Sequence, residues 1–401
     1  MSSQCPVSTL RKFPFERSSV VGVPSEYRNL RNEEPVVEVT VPTGDKGYLV
    51  TRYEDVRFVL SDSRFSRAQT IAPRAPRLTA MDFPPGSLFT MDPPDHTRLR
   101  KLVADQFTPR RIQTLIPHIQ EITDSLLDEM AGSEQPADIN KYLAHPLPVT
   151  VICELLGVPS TGRERFRSWA DASVSLTRDP AAAKAEQQKM AMYLATLIAQ
   201  KRVEGGDDLL TGLINAHDEK GQLSGTELVV MAMSLLVAGF ETTVSVFGTG
   251  VLTLLRHPEQ IQMLLEDPSY IEPLVEEILR VNPIGDGGPV RITLEDVEIS
   301  GVTVPKGSLV IASVSSGNFD EEQFENAETF DTDRADGRHL AFGHGVHFCI
   351  GATLARVELR IGILSLFRKF PTLRLAAPVE NLKMTGGGLF HRLERLPVYW
   401  S

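Results

Sequence analysis

Cysteine is scarce in this sequence, whose 401 residues include three: Cys5, Cys153 and Cys349. Three cysteines cannot form the disulfides that hold small secreted domains together, and the N-terminus lacks the basic, apolar and small-residue order of a secretion signal. We therefore expect a cytoplasmic protein. Positive charge is also scarce, because 41 Lys and Arg stand against 52 Asp and Glu, for a net charge of -11. Nucleic-acid-binding proteins concentrate positive charge against phosphates, so we expect no nucleic-acid partner.

Long apolar runs are missing except at residues 228–255, which are numerous enough to cross a bilayer. The one ionisable residue of this span, Glu241, lies near its middle beside two threonines. A charge at that depth in lipid is costly, so we favour a long helix buried in a soluble domain over a transmembrane helix, and expect no membrane partner. The Ser224-x-x-Glu227 pattern matches a capping box and predicts where the helix begins.

Repeats, low-complexity linkers and Gly-rich nucleotide-binding loops after a strand are missing too, which favours a single domain over residues 1–401 with no built-in flavin or nicotinamide module. The patterns predict a mainly α fold with a minor β region (α+β). Helical periodicity dominates residues 111–257 and returns at 271–281. The remaining predictions are an irregular segment at 1–45, a strand at 47–52, a helix at 53–60, a pocket-covering loop at 66–94, β structure at 290–313 and a closing hairpin at 386–400.

The strongest functional signal lies in the segment Phe342-Gly343-His344-Gly345-Val346-His347-Phe348-Cys349-Ile350-Gly351. Gly345 permits a positive φ or a close approach to a flat ligand, Gly351 leaves space beside the cysteine, and Phe342 and Phe348 can keep water off the sulfur. The helical pattern after residue 351 predicts that Cys349 lies at a helix N-terminus, which favours a thiolate able to ligate iron. A lone cysteine in such a loop is more often buried and inert, so this interpretation depends on further motifs.

A second motif, Ala238-Gly239-Phe240-Glu241-Thr242-Thr243, lies in the middle of the apolar helix. Small side chains there leave room for a ligand, Glu241 can take protons from water, and Thr242 can donate a hydrogen bond to an oxygen species. The alternative is structural, with a threonine bonded to the carbonyl one turn back and a glutamate pointing to solvent. Taken alone, the motif favours neither interpretation.

Charged residues elsewhere in the sequence indicate a function only when they are considered together. Glu277 and Arg280 lie at i, i+3 on one helix face, where ion pairs are common. Four more residues are individually ordinary, yet together they would suit the two propionates of a haem: His96, Arg100, Arg291 and His347.

In this order the motifs resemble those of the cytochrome P-450 haem-thiolate monooxygenases, over nearly the whole chain. Phe342-x-x-Gly345-x-x-x-Cys349-x-Gly351 is similar to the family's haem-binding loop, Ala238-Gly239-x-Glu241-Thr242-Thr243 to its oxygen-activation motif, and Glu277-x-x-Arg280 to its structural E-x-x-R helix. The stretch Asp92-Pro93-Pro94-Asp95-His96-x-x-Leu99-Arg100 is similar to soluble bacterial members. Thr329 stands where many members carry an arginine that locks the E-x-x-R pair, so we expect Arg334 or another nearby donor to replace it.

The resemblance implies a cytochrome P-450 fold with a long central helix over haem b (iron protoporphyrin IX), Cys349 as the axial iron ligand, and Glu241 with Thr242 as the catalytic acid and alcohol. The implied reaction inserts one atom of O2 into an apolar organic substrate by hydroxylation or epoxidation. Electrons would come from a separate ferredoxin or flavodoxin docked on the cysteine side. The implied cofactor-binding residues are His96, Arg100, Ala238, Gly239, Arg291, Phe342, Gly345, His347, Cys349 and Gly351, and the implied basic docking patch comprises Arg98, Arg110, Arg111, Arg338, Arg356 and Arg360.

Family position places apolar residues in the wall of the substrate pocket: Val237, Phe240, Ile284, Val290 and Phe390. A flexible run at 285–288 (Gly-Asp-Gly-Gly) would widen this site, which favours a bulky secondary metabolite as substrate. Three alternatives use the same haem. They are oxidative coupling, peroxide-driven oxidation, and a ligand-binding or sensor protein without turnover.

Overall fold

The computed structural model describes residues 11–79, 85–162, 165–166, 168–169, 180–218, 223–334, 338–385 and 390–400. Helices dominate them, as the periodicity predicts. The helices are α1 (Glu26–Glu33), α2 (Tyr53–Ser61), α3 (Asp95–Ala104), α4 (Pro109–Ala131), α5 (Pro146–Leu155), α6 (Pro180–Glu204), α7 (Leu209–Asp218), α8 (Gly225–Leu255), α9 (Pro258–Glu266), α10 (Ile271–Val281), α11 (Val314–Gly317) and α12 (Ala352–Lys369). The strands are β1 (Arg11–Lys12), β2 (Val36–Thr40), β3 (Lys46–Val50), β4 (Phe65–Ser66), β5 (Ala137–Asp138), β6 (Val290–Thr293), β7 (Val297–Ile299), β8 (Val302–Val304), β9 (Leu309–Ala312), β10 (Arg374–Leu375) and β11 (Pro397–Tyr399).

The largest sheet brings distant parts of the chain together, in the strand order β1-β2-β3-β9-β6-β4. Strand β4 pairs antiparallel with β6, with Phe65 opposite Thr293 and Ser66 opposite Ile292. Arg67, which follows β4, is therefore held close to Arg291 of β6. The sheet thus positions two cations that the chain separates by more than 200 residues.

Helix α8, called the central helix below, begins at the predicted capping box. The Ser224 hydroxyl accepts a hydrogen bond from the N–H of Glu227 (3.1 Å), and the Glu227 carboxylate accepts one from the N–H of Ser224 (2.7 Å). By length and composition this helix could cross a membrane, but 61% of its most apolar window is buried and other helices pack around it. The predicted buried core helix is confirmed.

Helix α12 follows the cysteine segment and packs on both α4 and the central helix. The second contact is close, because a Cβ at Gly362 would lie 2.4 Å from Cε2 of Phe247, which is fully buried. The helices that follow the cysteine and carry the Glu241 motif are therefore held directly against each other.

One prediction of secondary structure is wrong, and another has different bounds. The N-terminal segment is regular in places, since α1, β1 and β2 all precede residue 45; the pairing of β2 with β3, in register from Val36 to Thr40, overrides its Pro-rich composition. The expected hairpin at 386–400 has other bounds: residues 386–389 lie outside the described residues, and on either side of them the N–H of Thr385 donates to the carbonyl of Arg392 and that of Glu394 to the carbonyl of Lys383. One isolated bridge joins Met384 to Leu393, while β11 pairs with β10 and β5.

Candidate active site

The cysteine loop (residues 342–351) is folded by its own backbone. The N–H of Cys349 donates to the carbonyl of Phe342 (2.9 Å), and the N–H of Phe348 donates to that of Gly345 (3.0 Å). The N–H of Gly351 donates to the Cys349 sulfur, and α12 begins at the next residue. The predicted position at a helix N-terminus is confirmed, and it favours negative charge on the sulfur.

The environment of the thiol has opposing effects on its pKa. Burial raises the pKa of Cys349 above its ordinary value, while the N–H of Gly351 and the guanidinium groups of Arg100 and Arg356 lower it, and the net direction is upward. The free thiol is therefore protonated at neutral pH, and binding a metal would release its proton. Cys349 is nevertheless an exposed residue, so a ligand can approach it.

The glycines of the loop serve different needs. Gly345 has φ +71°, and a Cβ there would lie 2.6 Å from the carbonyl oxygen of Leu60 in α2, so this residue allows the loop to dock on a neighbouring helix. At Gly351 a Cβ would meet only the Cys349 sulfur, at 4.0 Å. Gly351 thus leaves open space beside the sulfur, as the sequence predicts.

Aromatic residues flank the sulfur unequally. Phe342 is partly buried and lies beneath the Arg356 guanidinium, which is 4.5 Å from the ring centroid. Phe348 is 41% exposed, so it forms an outer apolar surface of the loop. The predicted shield therefore rests mainly on Phe342.

The four predicted propionate-binding residues converge on one region, together with Arg67. We call these five residues the cation cluster. The rings of His96 and His347 lie 4.2 Å apart. Burial lowers the pKa of His347 to about 2, assisted by Arg291, His96, Arg67 and Arg100 in that order. Burial and the nearby Arg67 likewise lower the pKa of Arg291 to about 9.

Positive charge in this cluster is only partly matched. Asp92 faces it, but its carboxylate already accepts hydrogen bonds from the Ser66 hydroxyl and from the N–H groups of Arg67 and Ala68. His96 is 1% exposed, and neither of its ring nitrogens has a hydrogen-bond partner among the residues that the structure describes. Buried polar groups in this state call for an external partner, and the two carboxylates of haem b fit that need.

All three arginines of the cluster have backbone partners, and Arg291 donates to the carbonyl of Val290 (3.0 Å). Arg100 donates to the carbonyl of Phe348 (2.6 Å), which joins α3 to the cysteine loop. Arg67 donates to the carbonyls of Phe89 (2.8 Å) and Val290 (3.0 Å), and so ties the predicted pocket loop to β6. Sequence reasoning missed Arg67, because only the pairing of β4 with β6 brings it to the site.

The central helix has an open face at its middle. Val237, Ala238, Gly239 and Thr242 are partly exposed there, within an otherwise buried stretch. The Thr242 hydroxyl donates to the carbonyl of Ala238 (3.0 Å), as the structural alternative expects. The other half of that alternative is wrong: Glu241 is 1% exposed, and its two oxygens accept hydrogen bonds from Nη1 of Arg392 (2.9 and 3.0 Å).

Two residues that the sequence placed at the site have packing roles instead. A Cβ at Gly239 would lie 2.6 Å from Cγ1 of Ile152, so the glycine permits close packing of the central helix on α5 and does not open space for the cofactor. Phe240 is 2% exposed and packs in the main core cluster, so it does not line the pocket. Val237, Ile284, Val290 and Phe390 remain partly exposed, which is compatible with a pocket wall.

The expected flexible run at 285–288 is instead held firmly. Asp286 is 2% exposed and accepts hydrogen bonds from Arg17 at 2.9 and 3.1 Å. Gly288 has φ +52°, and a Cβ there would lie 2.2 Å from the carbonyl oxygen of Ala312. The prediction of flexibility is wrong because these glycines allow close packing.

The E-x-x-R helix forms the predicted buried ion pair, with Nη2 of Arg280 2.6 Å from Oε1 of Glu277. Arg334 completes it, since its Nε lies 3.3 Å from the same oxygen. Thr329 contributes only its carbonyl, which accepts from both Arg280 and Arg334. The expectation that Arg334 replaces the missing arginine is confirmed.

Comparison with known proteins identifies the family. The Cytochrome P-450 family model matches residues 177–389. Nocardicin C N-oxygenase of Nocardia uniformis subsp. tsuyamanensis is 43% identical over 396 residues, covering 97% of this chain and 98% of the relative. Mycinamicin IV hydroxylase/epoxidase of Micromonospora griseorubida is 42% identical over 392 residues, with coverage of 97% and 98%.

The solved structures agree. The LnmA cytochrome P-450 hydroxylase from the leinamycin biosynthetic pathway of Streptomyces atroolivaceus superposes with a TM-score of 0.90 at 41% identity, covering 98% of this chain and 100% of that one. The fold is therefore the predicted cytochrome P-450 fold. With such identity over nearly the full length of its relatives, the chain belongs to the cytochrome P-450 family and is a monooxygenase whose cofactor is haem b.

Proposed function

We propose that Cys349 is the axial ligand of the haem iron and that the cation cluster binds the haem propionates. The strongest support is the coincidence of an exposed cysteine at a helix N-terminus with a cluster of three arginines and two histidines that lack sufficient anionic partners. Phe342 and Gly351 would border the haem on the side of the sulfur. Residues 1–401 would act together as one catalytic domain.

Cys349 and the cation cluster would hold the haem, which would supply the O2 activation and the oxidising power of the reaction. One oxygen atom enters the substrate and the other leaves as water, which consumes two electrons and two protons. The protein must deliver those protons. We assign this task to Glu241 and Thr242, because they lie next to each other on the central helix and Thr242 is on its open face.

The iron ligand is tested by absorption spectroscopy of the reduced, carbon-monoxide-bound enzyme. Wild type should show the red-shifted Soret band of a thiolate complex, and Cys349→Ala should lose it. Cys153→Ala is the matched control, since Cys153 is a second free cysteine but is buried in α5. An unchanged band in Cys349→Ala would overturn the assignment.

The role of Thr242 is tested by the fate of the electrons. Thr242→Ala should increase the fraction of NADPH electrons that leave as hydrogen peroxide, because the variant lacks the hydroxyl that passes on protons. Thr243→Ala is the matched control, since this threonine is buried on the same helix. If Thr242→Ala leaves peroxide release unchanged, Thr242 has no role in proton delivery.

The substrate class we propose is a bulky, apolar secondary metabolite that is hydroxylated or epoxidised. The wall of the substrate pocket would include four apolar, partly exposed residues: Val237, Ile284, Val290 and Phe390. One relative is named as a hydroxylase/epoxidase of mycinamicin IV. A panel of macrolides, terpenoids and modified peptides should contain members that shift the haem spectrum by displacing iron-bound water.

The same compounds distinguish the alternative functions. Oxidation of such a compound with peroxide alone, but not with O2 and electrons, would favour peroxide-driven oxidation. Binding without turnover would favour a ligand-binding or sensor protein.

We also propose that a separate ferredoxin or flavodoxin delivers electrons in the cytoplasm, by docking near Val346 and Phe348, which are 49% and 41% exposed. The basic patch expected there is weaker than its composition implies. Most of its described arginines already pair with carboxylates: Arg98 with Glu227, Arg111 with Asp207, Arg356 with Glu276 and Arg360 with Glu272. Phe348→Ser should therefore slow electron transfer more than Arg360→Gln does, measured as the rate of formation of the reduced carbon monoxide complex.

A further inference from the structure

The C-terminal segment beside Phe390 is fastened to the centre of the molecule. The N–H of His391 donates to the carbonyl of Ile284 (2.7 Å), and the carbonyl of His391 accepts from the Ser245 hydroxyl of the central helix. The carbonyl of Arg392 accepts from the N–H of Thr385 (2.8 Å). The backbone from which the Arg392 side chain extends is therefore fixed on several sides.

From this position the Arg392 side chain contacts Glu241, the proposed proton-delivery residue. Its Nη1 donates to both carboxylate oxygens of Glu241, at 2.9 and 3.0 Å. The Arg392 side chain is 20% exposed and that of Glu241 is 1% exposed. An ion pair so far from solvent is only weakly screened, so it restrains the carboxylate strongly.

The central helix orients this contact. Glu241 and Ser245 are separated by one turn, and both bond to the segment 391–392. Ala238 and Thr242 are also one turn apart and bond to each other on the open face. Consecutive residues project about 100° apart around a helix, so Glu241 is directed toward the C-terminal segment while Thr242 faces the site.

We propose that Arg392 is a positioning residue for proton delivery: it keeps the Glu241 carboxylate charged and fixed on the helix turn that also carries Thr242, and it links that carboxylate directly to the pocket segment at Phe390. The proposal rests on the proposed role of Glu241. Without Arg392 the buried carboxylate would lose this cationic partner, become easier to neutralise and move from its place. Proton transfer toward Thr242 would slow, because the carboxyl group would hold its proton more tightly and would no longer be fixed in place.

The test compares rates of NADPH oxidation by the haem-loaded enzyme, supplied with a plant-type ferredoxin and its reductase, in H2O and D2O. Arg392→Gln should lower the rate roughly tenfold and increase the solvent isotope effect, because proton delivery becomes limiting. Arg392→Lys, which retains the charge, should recover at least half of the rate. The reduced carbon monoxide spectrum and its rate of formation show that haem binding and electron supply are intact.

Arg395→Gln is the matched control. Arg395 lies in the same segment, but its side chain is 72% exposed and lies 3.5 Å from Asp138, so this variant should behave as wild type. The double variant Arg392→Gln/Glu241→Gln should be no slower than Glu241→Gln, since both changes act on one step.

The outcomes separate the two proposals. If Glu241→Gln oxidises NADPH at the wild-type rate, the proton-delivery role of Glu241 is wrong and this inference fails with it. If Glu241→Gln is slow while Arg392→Gln is normal, only the role of Arg392 is wrong. A slow Arg392→Gln that lysine does not rescue, and whose defect adds to that of Glu241→Gln, would show that Arg392 merely stabilises the fold.

Discussion

Nε of Arg334 lies 3.3 Å from Oε1 of Glu277, the same oxygen that binds Arg280. The E-x-x-R pair therefore has a third charged partner, five residues beyond the position where the sequence seemed to lack one. Arg334 also donates to the carbonyls of Asn326 and Thr329. It thus joins α10 to the loop that leads into the cysteine segment.

Replacing Arg334 by glutamine should destabilise the protein by about 2 kcal/mol, because a nearly buried carboxylate loses one of its charged partners. Thr329→Ala should cost less than about 0.5 kcal/mol, since only its carbonyl takes part. Urea denaturation measures both values. Equal destabilisation by the two variants would mean that Arg334 is not the locking residue.

Gly239→Ala should be destabilising by about 1–3 kcal/mol, because the new methyl group meets Ile152. Ile152→Ala, which removes the clashing atoms, should make Gly239→Ala nearly harmless in the double variant. Gly239→Ala and the double variant should both retain haem, as measured by the ratio of Soret to protein absorbance. Haem loss in Gly239→Ala that Ile152→Ala fails to rescue would restore the cofactor role that the sequence suggested.

His96→Phe should weaken haem retention roughly tenfold, since the buried ring nitrogens are proposed to meet a propionate. Transfer of haem to excess apomyoglobin provides the rate. Leu99→Met is a suitable control for disturbed packing, because Leu99 is fully buried in the same helix. If His96→Phe retains haem as well as wild type does, the propionates bind elsewhere.

The ion pairs of Glu276 should make the stability of the protein depend on pH in the acid range. Burial raises its pKa, but hydrogen bonds from Arg356 and His339 outweigh this and lower the pKa to about 2. Because the folded pKa lies below the unfolded value near 4.5, the stabilisation is complete above pH 4.5 and is lost as pH falls toward 2.

Glu276→Gln should therefore reduce the free energy of unfolding by roughly 2 kcal/mol at pH 7, and the difference from wild type should shrink below pH 4.5. Urea denaturation between pH 7 and pH 3.5 measures this difference. Glu272→Gln is the control, because the Glu272 side chain is 62% exposed although it also pairs with an arginine of α12. A difference that does not change with pH would show that the ion pair contributes little.

Local signals in the sequence were reliable where neighbouring residues decide the structure. The capping box at Ser224, the helix over 271–281 and the helix after Gly351 all depend on contacts within a few residues, and all three were correctly predicted. The same holds for the short helix from Tyr53, which is separated from the end of β3 by two residues.

Local sequence patterns could not predict contacts between residues that are far apart in the chain. Arg392 meets Glu241 across 151 positions, and Arg17 meets Asp286 across 269. Nothing near Glu241 indicates whether it points to solvent or to an arginine, and nothing near Asp286 distinguishes a flexible glycine run from a tightly packed one. The role of Gly239 likewise depends on Ile152, which lies on another helix.

The hydrogen bond from Arg100 to the carbonyl of Phe348 spans 248 positions, and it sets an order of events during synthesis. When α3 leaves the ribosome, the cysteine loop on which it closes has not yet been translated. Contacts of such separation form late, whereas helices can form as they emerge. If the cysteine loop and the cation cluster bind the haem as proposed, its capture must wait until the cysteine loop has been translated. When haem is scarce, a largely translated polypeptide would carry a cation cluster that is only partly matched by anions, and such chains are expected to be the ones that aggregate or are degraded.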